Sequence, residues 1–169
     1  GVAAEKGAAA FLIRSIGTDS HRFPHTGMMS ARPNIVAAAL SNPDADQLAR
    51  LLAKHAISVT IDVNAGFQGE YTSHNVIADI TGSEFPEEII LIGGHLDSWD
   101  LGTGAIDDGA GIGITTGAAV QFLKQGQRPK RTIRVVAFAN EEQGLIGAYH
   151  YAKAHEAELD KHIVASESD

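Results

Sequence analysis

The sequence predicts an α/β protein whose sheet is mostly parallel and carries helices on both faces. Two observations carry that prediction. From residue 74 onward, strand-length apolar stretches alternate with helix-length segments, and Glu88–Ile92 is almost wholly apolar, as expected of a strand buried on both sides. Histidine and carboxylate residues cluster just past the ends of these stretches, where ligands bind in open α/β sheets.

Taken in order, Ala3–Ala10 is an alanine-rich helical run that Gly7 closes, and Ala10–Arg14 reads as a short buried strand. Asp19–Pro33 is loop, broken by Pro24, Gly27 and Pro33. Asn42-Pro43-Asp44 opens a helix over Ala45–His55, with Leu48, Leu51 and Leu52 on one face. Ser58–Val63 alternates polar and apolar residues in the manner of an edge strand. Gly66–Ser73 has few apolar anchors and marks a boundary, dividing residues 1–66 from 67–169. Beyond it come a strand at His74–Ile80, a turn at Thr81-Gly82-Ser83 and the strand at Glu88–Ile92. A helix at Asp107–Lys124 carries Gly109, Gly111, Gly113 and Gly117. A strand at Thr132–Ala139, a helix at Leu145–His155 and a strand at His162–Ser166 complete the series. There is no internal repeat and no low-complexity segment.

With 44% hydrophobic and 20% charged residues among 169, the composition is that of an ordinary globular protein. Thirteen basic against 21 acidic residues give a net charge of −8, which argues against nucleic acid as a partner; Arg128-Pro129-Lys130-Arg131 reads as a solvated turn. No apolar run reaches the roughly 18 residues that would predict a membrane span. The absence of cysteine excludes disulfides and thiolate metal sites. The chain starts without Met and stops within a strand-like segment, so both ends look cut and the absence of a targeting signal carries little weight.

The chemistry lies in three segments: Gly93-Gly94-His95-Leu96-Asp97-Ser98, Asp107-Asp108-Gly109-Ala110-Gly111, and Glu141-Glu142. His, Asp and Glu are the ligands zinc takes when no thiolate is available. A lone His at a strand end is ordinarily a satisfied core residue, but Asp97 is placed to accept the second ring N–H and fix the tautomer. Asp107-Asp108 alone would be explained as a helix cap with a first-turn acid, and Glu141-Glu142 alone as a solvated loop. That all three bland explanations should hold at three successive strand ends is the less economical account. Adjacent glutamates allow one to bind metal while its neighbour acts as a general base toward metal-bound water. These features point to a metal-dependent hydrolase. A dinucleotide site is excluded by spacing, because Asp107 stands where the third glycine after Gly102 and Gly104 belongs. No Gly-x-Ser-x-Gly elbow is present. His150, His155 and His162 read as surface residues.

Residues 74–169 closely resemble the di-zinc aminopeptidase family, and within it the plasma glutamate carboxypeptidase (carboxypeptidase Q)-like group. The resemblance rests on Gly-Gly-His95-Leu-Asp97-Ser, Asp107-Asp108-Gly-Ala-Gly, Asn140-Glu141-Glu142-x-Gly144-Leu and Glu167-Ser168-Asp169. The separations match as well: 12 residues from His95 to Asp107, 34 from Asp107 to Glu141 and 27 from Glu142 to Asp169. Residues 1–66 look like the C-terminal part of a smaller protease-associated α/β domain, through the Ala-rich start and Phe23-Pro24-His25-Thr26-Gly27. Residues 67–169 would be the N-terminal part of the zinc peptidase domain.

The resemblance implies a zinc-dependent exopeptidase acting at a free peptide terminus or on dipeptides. By it, His95 and Asp169 hold one of two Zn2+ ions, Glu142 holds the other, and Asp107 bridges them. Glu141 is the general base and Asp97 orients His95. A further His ligand lies downstream in the family, so one metal site is incomplete here. At most one firmly held zinc, on His95, Asp107 and Asp169, and no activity are expected of residues 1–169 alone. The resemblance also implies a cis peptide between Asp107 and Asp108, with the Asp108 side chain bonding nearby amides. It suggests a secreted or periplasmic protein and leaves a homodimer open. Two alternatives remain: a catalytically silent, metal-free interaction module on the same scaffold, and another metallohydrolase such as a cyclase or deacetylase.

Overall fold

The computed structural model describes residues 1–25, 27–29, 34–66, 68–126 and 128–169. They form two compact units, Gly1–Gly69 and Glu70–Asp169. Thr26 and Pro33, parts of the motif and loop readings above, lie outside the described residues, as does Phe67 at the expected boundary.

In the first unit, α1 (Val2–Glu5) is one turn long, much shorter than the alanine run. Gly7 takes a left-handed φ of 78°, and a helix this short gains too few hydrogen bonds to offset its nucleation cost. β1 (Ala10–Arg14) pairs in parallel with β2 (Val36–Leu40), Ala10 opposite Val36 and Arg14 opposite Leu40. The sequence reading missed β2. β1 is not buried as expected: Phe11 is 48% and Ile13 43% exposed, because this sheet has two strands. α2 (Asn42–Leu52) begins and ends three residues earlier than expected. The buried Ser41 is its N-cap, its Oγ accepting from the Asp44 N–H, and Pro43 sits in the first turn where a missing N–H costs nothing. Ser58–Val63 is not a strand. Its alternation has no partner among the described residues, and Val59 and Val63 are exposed.

The second unit is the predicted α/β layer structure. Its strands are β3 (Val76–Ile80), β4 (Phe85–His95), β5 (Arg131–Phe138) and β6 (His162–Glu167), in spatial order β3-β5-β4-β6. β4 runs parallel to both β5 and β6, while β3 is antiparallel to β5. β4 is longer at both ends than its apolar centre suggested. Two helices cross over: α3 (Gly109–Lys124) joins β4 to β5, and α4 (Ile146–Ala154), with a 3-10 segment at Glu156–Lys161, joins β5 to β6. Ile89, Leu91, Val136, Phe138 and Tyr151 form the core on the α4 face, with Ala148 against it. α3 packs on β4 and β5 through Gly111, Thr115 and Ala119. No helix among the described residues is long and apolar enough to cross a membrane.

The basic cluster is tied to the surface: Arg128 donates to the Thr81 carbonyl, Lys130 pairs with Glu84 and Arg131 with Glu88. The surface expectation holds for His150 but not for its two neighbours. The His155 ring stacks on Tyr151 at 4.3 Å. His162 Nε2 shares a 2.8 Å hydrogen bond with Tyr151 Oη, and its Nδ1 lies 2.9 Å from the Glu158 carbonyl. Arg134 ties this group together, donating to Asp79 twice at 2.8 Å, to Glu158 at 2.7 Å and to Tyr151 Oη at 3.0 Å.

Candidate metal centre

Strand register brings the site together. His95, the last residue of β4, lies opposite Phe138, so Glu141 and Glu142 follow just past the neighbouring strand. On the other side Gly93 pairs with Glu167, and Ser168 N–H donates to the Gly93 carbonyl at 3.1 Å. Two residues further along each strand, Asp169 comes alongside His95. Glycine is required where backbones meet: a Cβ on Gly111 would overlap the Ser168 carbonyl, and one on Gly94 would strike the Asp108 carboxylate.

His95 is 2% exposed. Its Nε2 lies 3.0 Å from Asp107 Oδ1 and 3.7 Å from Asp169 Oδ1, and ligand atoms of the three residues all fall within 4.8 Å of one another. The second ring nitrogen, Nδ1, is 2.8 Å from the Asp97 backbone carbonyl. A carbonyl only accepts, so Nδ1 carries a proton, and in the neutral ring the lone pair is then on Nε2, the nitrogen that faces Asp107 and Asp169. The expectation that the Asp97 carboxylate orients the ring is therefore corrected: that carboxylate stands 3.7 Å from Nδ1. It instead accepts the Glu141 N–H at 2.8 Å and the Glu142 N–H at 3.1 Å.

Asp108 is 1% exposed and serves as a clamp. Oδ2 accepts the His95 N–H at 2.7 Å and Oδ1 the Gly111 N–H at 3.0 Å, joining the end of β4 to the start of α3. The Asp107–Asp108 peptide is cis, as the family resemblance implied, and so is Asp100–Leu101.

Glu142 is half-buried, and its Oε1 is a buried acceptor with no hydrogen-bond partner among the described residues. Burial first, and the Asp107 charge second, push its carboxyl above the usual range; the Trp99 side chain hydrogen-bonds it and works the other way. His95 is raised on balance. Burial is the largest influence and lowers it, but the Asp97 carbonyl and the charges of Asp108, Glu141 and Asp97 together outweigh burial. None of Asp97, Asp107, Glu141, Glu142 and Asp169 pairs with lysine or arginine among the described residues. An imidazole lone pair, converging carboxylates and an orphaned buried oxygen form a nitrogen–oxygen donor set that fits zinc.

The trio of His95, Asp107 and Asp169 thus meets as the sequence suggested, and Glu142 lies close enough to feel the Asp107 charge. Trp99 and Asn75, which contact Glu142 and the loop around it, were missed. Trp99 had one signal, being the only tryptophan and two residues past Asp97; Asn75 had none.

The peptidase family M28 profile matches residues 75–168. Human carboxypeptidase Q is 41% identical over 172 residues, covering 99% of this chain and 36% of that protein. The crystal structure of a peptidase M28 precursor from Shewanella amazonensis superposes with a TM-score of 0.83 at 53% identity, covering 99% of this chain and 39% of that one. An aminopeptidase from Aneurinibacillus sp. strain AM-1 gives a TM-score of 0.56 at 32% identity, over 95% of this chain and 39% of that one. The chain belongs to peptidase family M28. It spans little more than a third (36%) of the length of the carboxypeptidase Q relatives it matches.

Proposed function

We propose that this chain carries much of the active site of a zinc-dependent exopeptidase that cleaves at a free peptide terminus or splits dipeptides. The observation that supports it most is the gathering of His95, Asp107 and Asp169 within ligand distance beside the orphaned Glu142 oxygen. In this reading His95, Asp107, Glu142 and Asp169 would hold two zinc ions, with the remaining ligand supplied from outside residues 1–169. Zinc bound there supplies Lewis-acid polarisation of the scissile carbonyl and lowers the pKa of water.

The chain's own groups do the rest. His95 keeps its Nε2 lone pair available because the Asp97 carbonyl holds the proton on Nδ1. Glu141, fixed through its backbone N–H on Asp97, takes the proton of the attacking water and returns it to the leaving amine. Asp97 holds the neighbouring Glu142 in the same way, so base and ligand are set by one carboxylate. Residues 1–66 are read as the C-terminal part of a protease-associated domain, and the likeness to carboxypeptidase Q suggests a secreted or periplasmic setting.

The test uses the full-length protein, assayed on aminoacyl-nitroanilides and a dipeptide panel with and without chelator. Glu141→Gln should keep zinc near the wild-type level and lose on the order of 10²- to 10⁴-fold in turnover. Glu142→Gln should lose zinc as well. Equal zinc loss in both variants would remove the division into base and ligand.

A further inference from the structure

The loop that carries Glu141 and Glu142 leaves β5 at Ala139 and enters α4 at Ile146. It contains three left-handed residues, Asn140 (φ 56°), Gly144 (φ 116°) and Leu145 (φ 60°), two of them not glycine and so costly to hold. The helix it enters has no side-chain cap of its own, since Leu145 occupies the N-cap position. Inside the loop the Gly144 and Leu145 N–H groups donate to the Glu141 carbonyl at 2.9 and 2.8 Å and Ile146 N–H to the Asn140 carbonyl at 3.1 Å, and side chains from outside add two further holds. Asp97 is the first, at the glutamates, as described above.

The second hold is a single side chain from another strand. Asn75 immediately precedes β3. Its Oδ1 accepts the Ala139 N–H at 2.9 Å, and its Nδ2 donates to the Gly147 carbonyl at 2.8 Å. One amide thus spans the residue before the loop and the residue after it. Between those two residues a direct bond also runs, from Gly147 N–H to the Ala139 carbonyl at 2.9 Å. The junction leaves no room for a side chain: a Cβ on Gly147 would overlap the Ala139 carbonyl and lie 2.5 Å from Asn75 Oδ1. Ala139 and Gly147 are both buried, where an unmade hydrogen bond is expensive. The neutral carboxamide of Asn supplies an acceptor and a donor side by side without charge.

We propose that Asn75 is a positioning residue for the reaction: it closes the base of the Ala139–Gly147 loop so that the Glu141 and Glu142 amides reach Asp97 and their carboxylates face His95 and Asp107. It touches neither metal nor substrate and acts wholly through the loop. This rests on the metallo-exopeptidase reading above.

The experiment compares Asn75→Ala, Asn75→Asp and Glu142→Gln with wild type in the full-length protein. Zinc retention is measured by chelator competition, amide hydrogen exchange over residues 139–147 in the metal-free state, and kcat and KM separately. Asn75→Ala should weaken zinc retention about 10- to 100-fold, the range for residues that orient ligands. It should also speed exchange in that segment and lower kcat with KM within about threefold. Asn75→Asp keeps the acceptor for Ala139 N–H and should recover part of the loss; it also serves if the alanine variant does not fold. If Glu142→Gln weakens zinc while both Asn75 variants match wild type in zinc retention and exchange, the positioning role is overturned. If Glu142→Gln leaves zinc unchanged, the metal reading fails instead, and the exchange measurement still decides whether Asn75 holds the loop.

Discussion

Asp107-Asp108 and Glu141-Glu142 are both pairs of neighbouring acids just past a strand, yet they are held in opposite ways. In the aspartate pair the labour is divided within the pair: Asp107 stays 61% exposed and faces His95 Nε2, while Asp108 is buried and anchors the turn with its own carboxylate. In the glutamate pair neither carboxylate accepts from the backbone of its own turn. The pair is gripped from outside, through its backbone amides on Asp97 and through the loop base on Asn75. The difference follows from what comes next in the chain. Asp108 is the N-cap of α3, so free N–H groups lie within its own reach. The glutamates precede three further loop residues before α4 begins at Ile146, and no helix end is at hand to hold their side chains. A site residue can be fixed by its neighbour only where secondary structure supplies the partners.

The largest effect should separate the members of the aspartate pair. Asp108→Ala leaves the buried N–H groups of His95 and Gly111 without acceptors, at about 1–3 kcal/mol each. Chemical denaturation of the metal-free protein should therefore show a loss of about 2–6 kcal/mol. Asp107→Ala, at an exposed position, should change metal-free stability by less than about 0.5 kcal/mol and abolish firm zinc binding. Equal destabilisation by the two would erase the asymmetry.

A middle-sized effect is expected at the outside grip. Asp97→Asn can accept only one of the two glutamate amides and turns an NH2 toward the other, costing about 1–3 kcal/mol. It should leave the His95 tautomer unchanged, because the backbone carbonyl at position 97 remains. Ring nitrogen shifts in NMR check this, and a switched tautomer would return the orienting role to the carboxylate.

The smallest effect provides a reference outside both loops. Arg134 first, and His155 second, hold the Glu158 carboxyl below its usual range. A depressed carboxylate stabilises the fold above its unfolded pKa of about 4.3, and that contribution is lost as pH falls through the folded value. Glu158→Gln should flatten the acid limb of stability below about pH 4.3 and leave zinc retention alone. An unchanged acid limb would show that the ion pair does not contribute.

Much of the sheet and the clustering of His95 with Asp107 were legible because they depend on local pattern. The apolar run before His95 gave β4, and the small-residue segment after Asp108 gave α3. What escaped depends on partners distant in sequence. β2, Val36-Ala37-Ala38-Ala39-Leu40, lacks the polar alternation that marks an exposed strand and is defined by its pairing with β1. Ser58–Val63 has that alternation and no partner among the described residues. The role of Asp97 was misread because its spacing from His95 fits either of its oxygen types, and only the Glu141 and Glu142 amides, 44 and 45 residues away, decide between them. Asn75 lies 64 residues before Ala139, with nothing in its own neighbourhood to mark it.

The pairing of Gly93 with Glu167 sets the order in which the centre comes into being. His95 and Asp107 are near neighbours along the chain, but Asp169 is 74 residues from His95 and joins only when β6 docks on β4. Closing so long a segment is a late, nonlocal step in folding, and β6 is also the last of the site-bearing strands to leave the ribosome. An ion arriving earlier meets an incomplete set of donors. On the proposed function, zinc capture would therefore report on finished topology, its binding free energy stabilising the native state over the unfolded chain.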